Sequence, residues 1–217
     1  QQVVIGSCTN SSLDDLSRVA SIVKGKHIHP EVEAGIAPGS RTTLLLAEKM
    51  GILGDLIRAG FRILESACGP CIGMGFAPSS GGVSLRTFNR NFKGRSGTPD
   101  ALVYLVSPET AAAAAITGEI TDPSSLSVSY INQNESLLEG KTELSSEVIK
   151  TITSDDGMLI PPKSPKEAAK VEIIRGPNIK PCPLSPKLSN SLELPVLLKA
   201  EDNVSTDDIM PAGAKVL

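Results

Sequence analysis

The chain has 217 residues, of which 40% are hydrophobic, 21% charged and only 3% aromatic, with 19 Gly and 16 Pro. That length suits one large domain or one and a half ordinary ones. A formal charge of -3, from 21 basic against 24 acidic residues, provides no basic field for nucleic acid or an anionic membrane, and apolar runs such as residues 111–116 fall far short of the roughly 20 residues of a membrane span. No membrane partner is expected, and a nucleic-acid partner is disfavoured. Nothing in the first residues reads as a signal peptide. Both ends look cut, so the chain reads as a fragment.

In chain order, residues 3–5 predict a strand, and a helix follows from Ser11 or Ser12 to Lys24, with Leu13, Leu16, Val19, Ala20 and Val23 at helical spacing. Asp14 and Asp15 suit its positive end. Residues 32–36 predict the second strand. Ser40 is a candidate N-cap for a helix over residues 42–50, and a shorter helix covers residues 52–59. Residues 61–64 and 101–106 are the third and fourth strand candidates. Ser107-Pro108-Glu109 is a strong helix start, and residues 111–116 continue that helix until Gly118 closes it. Short aliphatic runs alternating with amphipathic helices predict an α/β fold with a largely parallel sheet flanked by helices.

The composition changes after Asp122-Pro123. Residues 123–191 are rich in Ser, Glu, Lys and Pro and read as a long connector, with one helix near residues 165–170. A strand pattern returns at residues 194–198. It leads into Glu201-Asp202-Asn203-Val204-Ser205-Thr206-Asp207-Asp208, which reads as the start of an incomplete second domain over residues 192–217. The expected division is therefore 1–122, 123–191 and 192–217.

Four cysteines, Cys8, Cys68, Cys71 and Cys182, are too sparse for a disulfide scaffold. They favour a reducing compartment, hence a cytoplasmic location, and a metal or redox site. Cys68-Gly69-Pro70-Cys71 by itself suits a dithiol, half a zinc site or part of an iron-sulfur site. The glycines of Ile72-Gly73-Met74-Gly75 make a poor first helical turn for a redox dithiol. Cys182 sits between two prolines in the connector and reads as a bystander. Three thiols from two loops then remain, a number that fits a cluster with one iron free of protein ligands, able to act as a Lewis acid. Cys8 directly follows the first strand, at the carboxyl end where parallel sheets place their ligands. His27 and His29 lack a third ligand nearby and read as surface residues.

Four motifs now stand in order: Ile5-Gly6-Ser7-Cys8-Thr9-Asn10-Ser11, Ala37-Pro38-Gly39-Ser40-Arg41, Cys68-Gly69-Pro70-Cys71-Ile72-Gly73 and Asn89-Arg90-Asn91-Phe92-Lys93-Gly94-Arg95. In order and spacing they resemble the aconitase family over residues 1 to about 120, and the segment from Asp202 to Gly213 resembles the start of that family's swivel domain. The resemblance implies that Cys8, Cys68 and Cys71 hold a 4Fe-4S cluster with Asn89 beside it, that Arg90 and Arg95 grip substrate carboxylates, and that Asp207 is an active-site acid. Independently of it, residues 89–95 carry two arginines and no acid, a set that suits bidentate binding of a polyanion. The implied reaction isomerises citrate and isocitrate through cis-aconitate by dehydration and rehydration of a small tri- or dicarboxylate.

Homocitrate and isopropylmalate-like acids remain alternatives, because Asp208 and Met210 stand where the common aconitase pattern has His and Ser. A cluster-holding or RNA-binding regulator is the non-catalytic alternative. The whole protein is expected to be monomeric, and this fragment alone is expected to be inactive, since the family's catalytic serine lies beyond Leu217.

Overall fold

The computed structural model describes residues 1–126 and 156–210. Five strands, β1 (Gln2–Gly6), β2 (Glu33–Ala37), β3 (Arg62–Ile63), β4 (Val83–Arg86) and β5 (Leu102–Leu105), form one parallel sheet in the order β3-β2-β1-β4-β5. The chain builds outward from β1 to β2 and β3, then crosses back to place β4 on the other side of β1. Strand order thus reverses between β1 and β4, so their carboxyl ends border a crevice of the kind in which open α/β sheets bind ligands.

Helices α1 (Leu13–Val23), α2 (Arg41–Lys49), α3 (Ile52–Ala59) and α4 (Pro108–Thr117) connect or follow the strands. Ser12 caps α1 through a reciprocal box with Asp15, Ser40 caps α2 and Ser107 caps α4. Strand alternation divides the core into two faces. Val3, Ile5, Ala34, Ile36 and Leu85 pack on the helices, where Leu16, Val19 and Leu56 are buried. Each of these Val, Leu and Ile side chains stabilises the fold by about 1.5–3 kcal/mol on burial. Ala111 to Ala115 are all buried as well; the small side chains let α4 lie close to its neighbours.

The opposite face is covered by the cysteine-bearing loop. Val4, Cys71, Phe76 and Phe88 form its small core, with Leu64 packed against it. Phe76 lies against β2 at Gly35, where an added Cβ would stand 3.1 Å from the ring. This face also carries the buried polar side chains Gln2, Ser84 and Arg86. They explain why sequence reasoning missed β4: Val83-Ser84-Leu85-Arg86 alternates apolar with polar, and no aliphatic run marks it. The fourth strand candidate, residues 101–106, is β5.

The described residues divide into two compact units, one within Gln1–Ser154 and Thr206–Leu217 and the other within Asp155–Ser205. In the second, α5 (Pro165–Ala168) matches the helix expected near residues 165–170. The strand expected at residues 194–198 is not formed. Leu194, Val196, Leu197 and Leu198 are exposed, and a strand without a hydrogen-bonding neighbour has nothing to hold it extended. A last helix, α6 (Thr206–Ile209), contains Asp207. Parts of the expected connector, residues 127–155, and of the expected second domain, residues 211–217, lie outside the described residues. No helix among the described residues is long and apolar enough to cross a membrane.

Candidate metal centre

The first cysteine loop leaves β1 through a backbone conformation that the motif is built for. Gly6 has φ +126°, and a Cβ there would run into the carbonyl oxygen of Ala37. Ser7 follows with φ 71°, its N–H donating to Ala37 O at 2.9 Å. The turn presents Cys8 to solvent and buries Ser7. Ser11 Oγ donates to Ser7 O at 2.5 Å and closes the turn ahead of α1.

Cys68 and Cys71 reach the same end of the sheet from β3. Pro70–Ile72 forms a single 3-10 turn, so the paired glycines shorten the helix rather than prevent it. Cys68 is exposed and Cys71 buried. Cys71 Sγ lies 2.9 Å from Ser7 Oγ, a direct hydrogen bond between the two cysteine loops. Burial pushes the Cys71 thiol up from its ordinary pKa, the Ser7 hydrogen bond opposes this, and the charges of Cys68 and Cys8 push it up further. The three cysteines therefore share one electrostatic neighbourhood, while Cys182 is exposed in the other unit.

Among the described residues no three His, Cys, Asp or Glu side chains converge as ligands of one metal ion. Three thiols at one end of the sheet are the soft donors that an iron-sulfur cluster or a zinc ion takes. The fit extends to the surroundings, because Ser7 donates or accepts at Cys71 sulfur and the loop crests leave Cys8 and Cys68 open to a group arriving from solvent.

Across the crevice, the segment after β4 is tied to the Cys8 loop. Gly6 N donates to Thr87 Oγ1 at 2.8 Å, and Asn10 Nδ2 donates both to Thr87 O and, at 3.1 Å, to Asn89 Oδ1. Asn89 thus stands beside the first cysteine loop. Arg90 is exposed, and both its terminal nitrogens lie 3.3 Å from Thr206 Oγ1. Arg95 lies with its guanidinium carbon 5.7 Å from the Phe92 ring centroid. Asp207 follows Thr206 in α6, so its backbone is adjacent to the residue that meets Arg90. A cavity of about 730 Å³ beside the cysteine loop is lined by Leu64, Glu65, Cys68, Pro70, Met74 and Phe76, and by neither Arg90 nor Arg95.

Sequence reasoning missed Ser7, Asn10, Thr87 and Arg86 as parts of the site. Ser7 and Asn10 stood inside a motif already singled out, which was their only signal. Arg86 is 1% exposed, and burial pulls its guanidinium down to about 10, against which the nearby Cys71 charge acts. It remains protonated at neutral pH.

The profile of the aconitase family (aconitate hydratase) matches residues 1–118, more than half of the chain. The chain belongs to the aconitase family. The mitochondrial homoaconitase of Candida albicans is 35% identical over 206 residues, which cover 94% of this chain and 27% of that protein. The probable methanogen homoaconitase large subunit of Methanosarcina mazei is 50% identical over 123 residues, 56% of this chain and 31% of that subunit. The 3-isopropylmalate dehydratase large subunit of Methanoregula boonei is 47% identical over 123 residues, 56% of this chain and 30% of that subunit. The chain spans less than a third of the length of each of these relatives. This aconitase-family chain thus resembles homoaconitases and isopropylmalate dehydratases.

Proposed function

We propose that the protein containing this chain is an iron-sulfur hydro-lyase of the homoaconitase kind. The observation that supports the substrate reading is that homoaconitases match both across the chain, over 94% of it in the Candida albicans protein, and at 50% identity, in the Methanosarcina mazei subunit. The citrate and isocitrate reaction expected from the motifs gives way to homocitrate and homoaconitate, and the second reading, an isopropylmalate-type acid, is favoured by the 47% identity to a dehydratase large subunit. The large-subunit names lend no support to a monomeric whole protein. The word mitochondrial in the Candida name allows the reducing compartment to be an organelle as well as the cytoplasm.

In this reading Cys8, Cys68 and Cys71 hold a 4Fe-4S cluster, which when bound supplies an iron without a protein ligand to polarise a substrate hydroxyl. The protein's own groups do the rest. Arg90 and Arg95 bind carboxylates of the substrate, each able to offer two parallel N–H donors. Asn10 holds Asn89 at the edge of the cysteine site, where its amide orients the substrate. Asp207, beside the contact of Thr206 with Arg90, is proposed as an acidic member of the same site.

The test is anaerobic reconstitution of the full-length protein with iron and sulfide, followed by assays with homocitrate, isopropylmalate and citrate in parallel. The reading expects bound iron with visible absorbance, and turnover highest with homocitrate or homoaconitate. Zinc alone at the cysteines would refute the cluster, and a clear preference for citrate would refute the substrate.

A further inference from the structure

Arg86 sits on the loop-covered face of the sheet, and its side chain makes four hydrogen bonds. Nε donates to Ser84 Oγ at 3.0 Å, Nη1 to Pro70 O at 2.5 Å, and Nη2 to Gln2 Oε1 and Phe76 O, both at 2.8 Å. All four acceptors are neutral oxygens. Burying a guanidinium against neutral partners is costly. The geometry shows what is gained. Pro70 lies within the C-x-x-C and Phe76 just beyond it, so one planar fork grips both arms of the cysteine loop.

The grip also fixes the loop relative to the rest of the site. In the sheet, Arg86 pairs with Val4 of β1, the strand that runs on into Cys8. Gln2, at the start of that strand, accepts from Arg86 and from Ser84 Oγ, and its Nε2 donates to Ala77 O. Within the loop the backbone bonds are few and local: Gly73 N to Pro70 O and Ile72 N to Gly69 O, both at 3.2 Å, and Met74 N to Gly69 O at 2.8 Å. None of these ties the C-x-x-C itself to the sheet; the backbone is tied at the start of the loop, where Leu64 N donates to Ile36 O at 2.7 Å.

We propose that Arg86 is a positioning residue for the cysteine site: its fork clamps the C-x-x-C loop onto β4 and holds Cys71 in place relative to Cys8 before any cofactor is loaded. This rests on the reading of these cysteines as one site, but the clamp itself is tested without metal. In the metal-free full-length protein, alkylation by iodoacetamide is followed at Cys71 and Cys182 by peptide mass spectrometry. Arg86→Gln should raise the Cys71 rate by about tenfold or more, the scale of one lost charged hydrogen bond, and leave Cys182 unchanged. Arg86→Lys keeps the charge but not the fork, so it should label as fast as Arg86→Gln.

A wild-type Cys71 rate in folded Arg86→Gln would overturn the assignment, and so would full rescue by Arg86→Lys. Amide exchange in α4, on the other face of the sheet, should stay at its wild-type level; a parallel rise there would mean general loosening and would also overturn it. Should Arg86→Gln not fold, Ser84→Ala, which removes the Nε acceptor and the Ser84 donor to Gln2, should raise the Cys71 rate by a smaller factor, and no rise would overturn the clamp. Iron binding plays no part in this readout, so failure of the clamp and failure of the iron-sulfur reading are distinguishable.

Discussion

Cys8, Cys68 and Cys71 approach from two loops, and Ser7 joins those loops at Cys71 sulfur. If all three are ligands, replacing any one by Ser should abolish iron retention after anaerobic reconstitution, measured as iron per protein, whereas Cys182→Ser should leave it at the wild-type level. A second residue-scale test concerns the backbone beneath Cys8. Gly6→Ala would force a Cβ into the Ala37 carbonyl at a positive φ, and should destabilise the protein by about 2 kcal/mol or more, read as a lower thermal midpoint. At this scale the cysteines were legible as candidates, because few side chains can hold iron. Asn10 and Thr87 were not, since a hydroxyl or amide acquires its role only from the neighbour that tertiary structure brings to it.

Helix α1 rests on a capped start and a link to α3. Asp55 of α3 accepts from Arg58 at 2.6 Å and lies 3.5 Å from Lys24 Nζ, just past the end of α1. Partial burial would raise the Asp55 pKa, but the Arg58 hydrogen bond and the Lys24 charge together outweigh it and hold the carboxyl below its ordinary value. A carboxyl with a depressed folded-state pKa stabilises above the unfolded value, near ~4, and that contribution is lost as pH falls through the folded value. Asp55→Asn should therefore cost ~0.5 kcal/mol at pH 7, as expected of a largely exposed pair, with the difference from wild type vanishing in the acid limb of a chemical-denaturation series. The helices were legible as elements because their caps and apolar spacing are local. Strand β4 was not, because Ser84 and Arg86 are buried polar groups whose partners lie at residues 2, 70 and 76. The apolar run at residues 194–198 misled in the opposite sense, having strand composition and no neighbouring strand among the described residues.

Over the whole molecule, the two faces of the sheet have separate cores. The larger lies among the helices and contains no cysteine; the smaller, around Phe76 and Phe88, includes Cys71. If the cysteines hold a cluster, its removal should therefore leave the helices standing. Chelation of the reconstituted protein should bleach its visible absorbance while far-UV circular dichroism and cooperative unfolding persist, and loss of helical signal in step with the bleaching would contradict a separate helical core.

Composition, capping and motif spacing by themselves determined the α/β class, four of the five strands of the sheet, the helices within residues 1–122 and the family, since each depends on residues close in sequence or on a motif kept in order. The strand order β3-β2-β1-β4-β5, the crevice it opens between β1 and β4, and the placing of Arg86 under the cysteine loop were decided only by the tertiary structure. The physical reason is that a buried polar side chain is tolerable only where distant acceptors surround it, and no local pattern announces where those acceptors will come from.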